Sequence, residues 1–225
     1  MCLIALSVTK SKDWNNKDAY FYKVIANRDE YHERKTTEMH WWSNKDLLAG
    51  KDEQAGGTWL GINKDGRFAA ITNLKENNDK KYLSSRGSLV TEFLESTLSA
   101  KAYLEDLEKE KENFAGFNLI VGDKNGLFYL CNRLEGIFFL HEGTHALGNL
   151  TLNASTSKVE SIKGDLDLLI HNGFNESDAI NLMKKEFGNL HEKTKKELKV
   201  RDGEEIPYRF ISCLLYTSPS PRDNR

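Results

Sequence analysis

MCLIALSV, residues 1–8, is the stretch on which the reading of this chain turns. A cysteine at position 2 stands directly ahead of an apolar run, and three explanations compete. The run is the hydrophobic part of a signal peptide, or a buried first strand with a cysteine as filler. In the third explanation, the cysteine becomes the N-terminal residue of a first strand, with its own amine as catalytic base.

The signal-peptide explanation fits poorly. No basic segment precedes Leu3, the run from Cys2 to Val8 is short, and it gives way to TKSKDWNNKD (residues 9–18) without a small-residue cleavage site. No window approaches the ~20 apolar residues of a membrane span. The expectation is a cytoplasmic protein with no stable membrane insertion. Its 225 residues suit one domain, long enough to bury a substantial core without staples. With 32 basic against 34 acidic residues, the net charge of -2 leaves no clustered basic excess for nucleic acid. Three cysteines, Cys2, Cys131 and Cys213, are too few and too scattered for a disulfide framework or thiolate metal site, and a reducing compartment is expected.

Outward from residue 8, strand signals dominate. AYFYKVIAN (19–27) is rich in aromatic and branched residues, and TWLGI and RFAAITN flank the hairpin signal NKDG (63–66). Between them lies a polar stretch, residues 29–42, ending in Trp41 and Trp42, which are candidates to line a cleft. SSRGSLVTEFLESTLSA (84–100) and KAYLEDLEKEKE (101–112) carry helical periodicity, with Ser84 or Ser85 as N-cap. GFNLIVG and LFYLCN surround a second hairpin signal, DKNG (123–126), and GIFFL (136–140) is another short run. Residues 156–197 read as helical apart from breaks at Gly164 and residues 171–175. Strands, helices, strands, helices with hairpin connections predict an α+β fold with mainly antiparallel sheets. The last dozen residues, LLYTSPSPRDNR (214–225), break the pattern with two of the chain's three prolines. They read as a disordered tail or as translated sequencing-adapter read-through, which leaves a single domain over residues 1–213.

HEGTH (141–145) matches the zinc-protease signature H-E-x-x-H, which requires both histidines on one helix. GIFFL before it reads as a strand and Gly143 interrupts it, so a turn is expected and no metal site is assigned. Cys2 alone is most simply a small buried hydrophobe. Its neighbours in chemistry alter that balance. Residues 27–30 of VIANRDE put Asn27, Arg28, Asp29 and Glu30 after an apolar strand, in the loop layer where sites are often built. A cation lowers a thiol's pKa, and a terminal amine near pKa 7.7–8.0 takes a nucleophile's proton directly. Asn73 and Asn149 each close a strand, where side-chain amides or adjacent backbone N–H groups form oxyanion holes. Singly, each is a turn former.

MCLIALS, ANRDE, GGTWLGINKDGRFAAITN and LGN, in this order, closely resemble the NRDE family, also called the transport and Golgi organisation protein 2 family, over about residues 1–213. The resemblance implies an N-terminal-nucleophile (Ntn) hydrolase fold, a four-layer αββα sandwich. A more distant likeness to choloylglycine hydrolases and penicillin V acylases implies roles. Cys2 resembles their nucleophile, Arg28 and Asp29 the residues around its amine and thiol, and Asn73 and Asn149 their oxyanion-hole positions. Arg28 and Asp29 are adjacent here, whereas the acylases separate them, and Asn27 is a second candidate for the Asp29 role. The family also continues past the ISC segment (211–213) with a further strand and a Tyr-Gly-Thr-Arg-type motif, so a C-terminal truncation is expected.

Two functions follow from the resemblance. One is an amidohydrolase acting on a small acylated substrate without a cofactor, with Asn27, Trp41, Trp42 and Trp59 contributing to substrate binding. The other is a non-catalytic carrier of haem or a lipid such as acyl-CoA on the same scaffold, with His32, His40, His141, His145 and Cys2 as candidate haem ligands.

Overall fold

A computed structural model describes residues 2–10, 20–31, 33–43, 45–76, 82, 84–183 and 208–217, with the backbone course alone at 29–31 and 208–217. Among the described residues, eleven strands form two antiparallel sheets. The first half of the chain supplies β1 (Leu3–Lys10), β2 (Tyr20–Tyr31), β3 (Thr36–Trp41), β4 (Leu47–Asp52), β5 (Leu60–Asn63) and β6 (Phe68–Asn73). The second half supplies β7 (Phe117–Asp123), β8 (Gly126–Cys131), β9 (Phe138–Leu140), β10 (Gly143–Leu147) and β11 (Tyr208–Thr217). The smaller sheet has the order β10-β1-β2-β11 and the larger the order β3-β4-β5-β6-β7-β8-β9. Helices α1 (Arg86–Glu95), α2 (Ala100–Glu108) and α3 (Ser157–His171) complete the named elements, and residues 176–183 are also helical. The α+β class and its antiparallel sheets are as expected.

The apolar run of β1 serves two faces at once. Successive side chains of a strand point to opposite sides. Ile4, Leu6 and Val8 pack with Val24 and Ala26 of β2 against Phe68, Ala70 and Ile120 of the larger sheet. Leu3 and Ala5 turn the other way, onto Val159, Ile162 and Leu166 of α3 and onto Met183. A strand buried on both sides needs no polar alternation, so the run is continuous. The outer face of the larger sheet, with Ala69, Ile71, Leu119 and Val121, is covered by Leu89, Phe93 and Leu94 of α1 and Leu104 and Leu107 of α2. Packing therefore proceeds from helices α1 and α2 through the larger sheet and the smaller sheet to α3.

Local chemistry explains the turns and helix ends. At NKDG, Asn63 Oδ1 accepts from the N–H groups of Asp65 and Arg67, and Gly66 takes a φ of 78°. Arg67 then reaches α1, donating to the carbonyls of Phe93 and Leu98 with its guanidinium over the Phe93 ring. Ser99 caps α2 by accepting from Ala102 N, and Thr156 caps α3 by accepting from Val159 N.

Several expectations change. Residues 27–30 are not loop: β2 runs to Tyr31, flanked by β1 on one side and β11 on the other. The polar stretch 29–42 contains β3, an edge strand of the larger sheet. β11 extends to Thr217, so residues 214–217, assigned above to the tail, continue a strand, and residues 218–225 lie outside the described residues. Of the helical region expected over 156–197, residues 184–197 lie outside them too. HEGTH is not helical: His141 and Glu142 link β9 to β10, and Gly143, Thr144 and His145 belong to β10, with His145 opposite Leu6 of β1. No helix among the described residues is long and apolar enough to cross a membrane.

Candidate functional site

The β1–β2 ladder decides where the cysteine points. Leu3 pairs with Asn27, and continuing that register by one residue sets Cys2 opposite Arg28. Cys2 shares its face with Ile4 and Leu6, and Arg28 shares its face with Ala26 and Val24, so both turn toward the larger sheet. There they line a cavity of about 990 Å³. Asn73 at the end of β6, Asn149 just beyond β10 and Trp59 line the same cavity. Five residues singled out from sequence, spread over nearly 150 positions, thus meet at one place.

Asn27 is a correction. One step along β2 from Arg28, it faces the opposite side, where it is buried and donates from Nδ2 to the Met183 carbonyl at 3.1 Å. It anchors the helical run 176–183 and does not line the cavity. Trp41 and Trp42 are a second correction, because they border a separate depression with Lys45, Asp46 and Lys64. Trp42 is a core residue whose Nε1 donates to the Ala49 carbonyl, and Trp41 is 51% exposed beneath the Lys64 ammonium. Asp29 sits in β2 opposite Phe210 of β11, and its side chain lies outside the described residues, as does His32.

The two asparagines are in contact. Asn149 Nδ2 donates to the Asn73 carbonyl at 2.8 Å, and Lys75 N donates back to the Asn149 carbonyl at 2.8 Å. A buried chain fixes this arrangement from below. Thr72 Oγ1 donates to the Gly148 carbonyl, Asn118 Nδ2 donates to Thr72 Oγ1 and to the Leu150 carbonyl, and Tyr129 donates to Asn118 Oδ1. The loop after β10 is therefore held against β6 by side chains of β6, β7 and β8.

Arg34, Asp52 and Arg86 also line the cavity and were not anticipated. Asp52, at the end of β4, accepts from the backbone N–H groups of Gln54 and Ala55 with Oδ1 and from Arg28 and Arg34 with Oδ2. Burial pushes its carboxyl up, but the Ala55 N–H and Arg34 outweigh that, and the net position is below the ordinary carboxylate value. Arg86 opens α1 and donates to the Gly116 carbonyl at 2.9 Å. Its burial pulls the guanidinium below its ordinary value; Glu76 and Cys2 oppose this, and Arg34 adds to it. The only sequence signals of Asp52 and Arg86 were DEQAGG (52–57), a turn-forming string, and the helix start SSRGS (84–88), and Arg34 lay within the polar stretch 29–42.

The second glycine of GGTWLG also gains a reason. A Cβ on Gly57 would lie 2.7 Å from the Gly87 carbonyl group, so only glycine lets this loop touch the start of α1. Gly57 and Gly87 line the cavity, and their contact shapes its wall.

A family model described as "Transport and Golgi organisation 2" matches residues 1–213. The chain belongs to the transport and Golgi organisation 2 family. Among curated relatives of that family, the Bos taurus transport and Golgi organization protein 2 homolog is 35% identical over 154 residues, covering 64% of this chain and 56% of the relative. The Homo sapiens homolog is 34% identical over the same length and coverage. The chain thus spans about half the length of the curated relatives it matches. Among solved structures, the Caenorhabditis elegans N-acylethanolamine-hydrolyzing acid amidase ortholog superposes with a TM-score of 0.53 at 9% identity, covering 80% of this chain and 85% of that one. At that identity the likeness is one of fold, and it gives this transport and Golgi organisation 2 member a fold of Ntn-hydrolase type.

Proposed function

We propose that the protein is an N-terminal-cysteine amidohydrolase acting on a small acylated substrate. The observation that carries this reading is the convergence of Cys2, Arg28, Asn73 and Asn149 on one cavity, with Cys2 at the start of a strand paired on both sides. Removal of Met1 leaves Cys2 with a thiol and an α-amine. The amine takes the thiol proton, the sulfur attacks the substrate carbonyl carbon, and a tetrahedral oxyanion forms. The second amide hydrogen of Asn149, the first being engaged by Asn73, is a donor for that oxyanion. Collapse breaks the C–N bond, and the protonated amine gives its proton to the departing nitrogen. Water then hydrolyses the thioester, releasing a carboxylic acid and restoring the thiol. Arg28, held by Asp52 opposite Cys2, keeps positive charge beside the sulfur and favours its thiolate.

Intact mass and N-terminal sequencing report whether Met1 is removed. A thiol-directed acyl probe applied to the wild type and to Cys2→Ala reports whether Cys2 is the nucleophile. Retained Met1, or labelling that survives Cys2→Ala, overturns the proposal. Saturable haem absorbance changes without labelling favour the carrier reading instead.

A further inference from the structure

The loop that carries Asn149 is fastened at its far end as well, by residues outside the cavity lining. Asn153 has a φ of 56°, and among the described residues it is the only non-glycine with a positive φ. Asparagine tolerates that region better than most side chains, and such a conformation persists where its surroundings hold it in place. Here the hold is a reciprocal pair with Ala146. Asn153 N donates to the Ala146 carbonyl at 2.8 Å, and Ala146 N donates to Asn153 Oδ1 at 3.0 Å. Among the described residues β10 is the last strand of the smaller sheet, with β1 on its other side. Ala146 therefore presents both backbone groups on the open edge, and one asparagine satisfies them as a neighbouring strand would.

The Asn153 side chain is tied in turn to His145. Its Nδ2 lies 3.1 Å from His145 Nδ1, and His145 Nε2 lies 2.8 Å from the His141 carbonyl, just beyond β9. The hydrogen-bond roles follow by elimination. A carbonyl only accepts, so Nε2 carries the ring proton and Nδ1 accepts. Asn153 Nδ2 is then the donor, which agrees with Oδ1 accepting from Ala146. Turning the amide over would set acceptor against acceptor at His145 and donor against donor at Ala146. His145, on the smaller sheet, thereby links Asn153 to the end of β9, on the larger one.

These contacts close the neck of loop 148–153. Thr72 and Lys75 hold Gly148 and Asn149, Asn118 holds Leu150, and Tyr129 holds Leu152. Asn153 fixes the returning end of the loop to β10, the strand on which the loop begins. We infer that Asn153, with His145 behind it, is a positioning residue for Asn149: it holds the loop backbone so that the Asn149 amide stays aimed into the cavity. The consequence for catalysis rests on the hydrolase reading, whereas the fixing of the loop does not.

The test uses Asn153→Gly in the full chain, because glycine adopts the positive φ without strain and only the side-chain bonds are lost. Two measurements separate positioning from general destabilisation. The first is hydrogen exchange of the Lys75 amide, which donates to the Asn149 carbonyl. It should exchange about tenfold faster in the variant, while amides of β7 such as Ile120 stay within about twofold, the pattern of a local opening. The second is acyl labelling of Cys2, which should slow by about tenfold, part of the about 10²-fold cost of losing an oxyanion donor outright. In an Asn149→Ala background the same substitution should change labelling by less than about twofold, since residues that act through one donor are not additive. His145→Leu should move both measurements in the same direction by a smaller factor, because the two Ala146 bonds remain. Unchanged Lys75 exchange overturns the inference, as does an equal slowing of labelling with and without Asn149. A wild type that does not label at Cys2 overturns the hydrolase reading, and the exchange comparison then still decides whether Asn153 holds the loop.

Discussion

Asn149 and Asn73 are 76 residues apart in sequence, yet the side-chain amide of the first donates to the main-chain carbonyl of the second at 2.8 Å. That bond fixes the direction of the Asn149 amide, and the hydrogen left over is the one available to an oxyanion. Asn149→Ala should therefore slow acyl labelling of Cys2 by about 10²-fold, the usual effect of removing one such donor. Stopped-time labelling followed by mass spectrometry checks it. A rate within twofold of the wild type removes Asn149 from the mechanism.

Thr72 is the link between β6 and the loop that carries Asn149. Its hydroxyl donates to the Gly148 carbonyl and accepts from Asn118. Thr72→Val keeps the shape and deletes both bonds, so the buried Gly148 carbonyl loses this donor and Asn118 Nδ2 keeps only the Leu150 carbonyl. Urea unfolding should show a loss of about 1–3 kcal/mol.

Asp52 gives a pH signature. Its carboxyl lies below the ordinary 3.8 in the folded protein, so unfolding takes up a proton in the window just under that value. Stability from this group is present above the unfolded value and is lost as pH falls through the folded one. Asp52→Asn should flatten the acid limb of a stability–pH curve below about pH 4. At neutral pH it should cost about 2–3 kcal/mol, between the values for exposed and buried pairs. That range reflects the partners, because the side chain of Arg28 is 9% exposed and that of Arg34 is 37% exposed.

Gly57→Ala places a methyl group against the Gly87 backbone, which has no flexible end to move aside. A loss of about 1–3 kcal/mol is expected from the forced shift, read as a lowered melting temperature. Because the clash lies in the cavity wall, probe binding should weaken as well.

Trp41→Ala provides a contrast. The side chain is half exposed and remote from the cavity, so stability should change by less than about 0.5 kcal/mol and labelling of Cys2 should be unaffected. Trp59→Ala, at a residue that lines the cavity and packs against both faces of the larger sheet, should alter both.

Hairpins and doubly buried strands were legible because their signals are local. DKNG sets Asp123 opposite Gly126, and the unbroken apolar run of β1 reflects two packed faces. Cys2, Arg28, Asn73 and Asn149, read from motifs placed at strand ends, all line the cavity. Asn27 was misjudged because adjacency in ANRDE conceals the alternation of a strand, and β2 continues through the motif. Trp41 and Trp42 were misjudged because paired tryptophans suit a sheet edge as well as a cleft. Arg34, Asp52 and Arg86 carried no shared motif. They meet only because β3 and β4 form the sheet edge and Gly57 lets its loop press on α1. The placement of β10 beside β1, which delivers Asn149, is a long-range pairing with no local trace.

The position of Cys2 has a practical corollary. β1 lies between β10 and β2, and Cys2, the residue just ahead of it, lines the cavity. Any polypeptide fused ahead of Cys2 starts from a residue that lines that space, and it ties up the α-amine in a peptide bond. A protein purified with an uncleaved amino-terminal affinity handle should therefore look inert whatever its native activity.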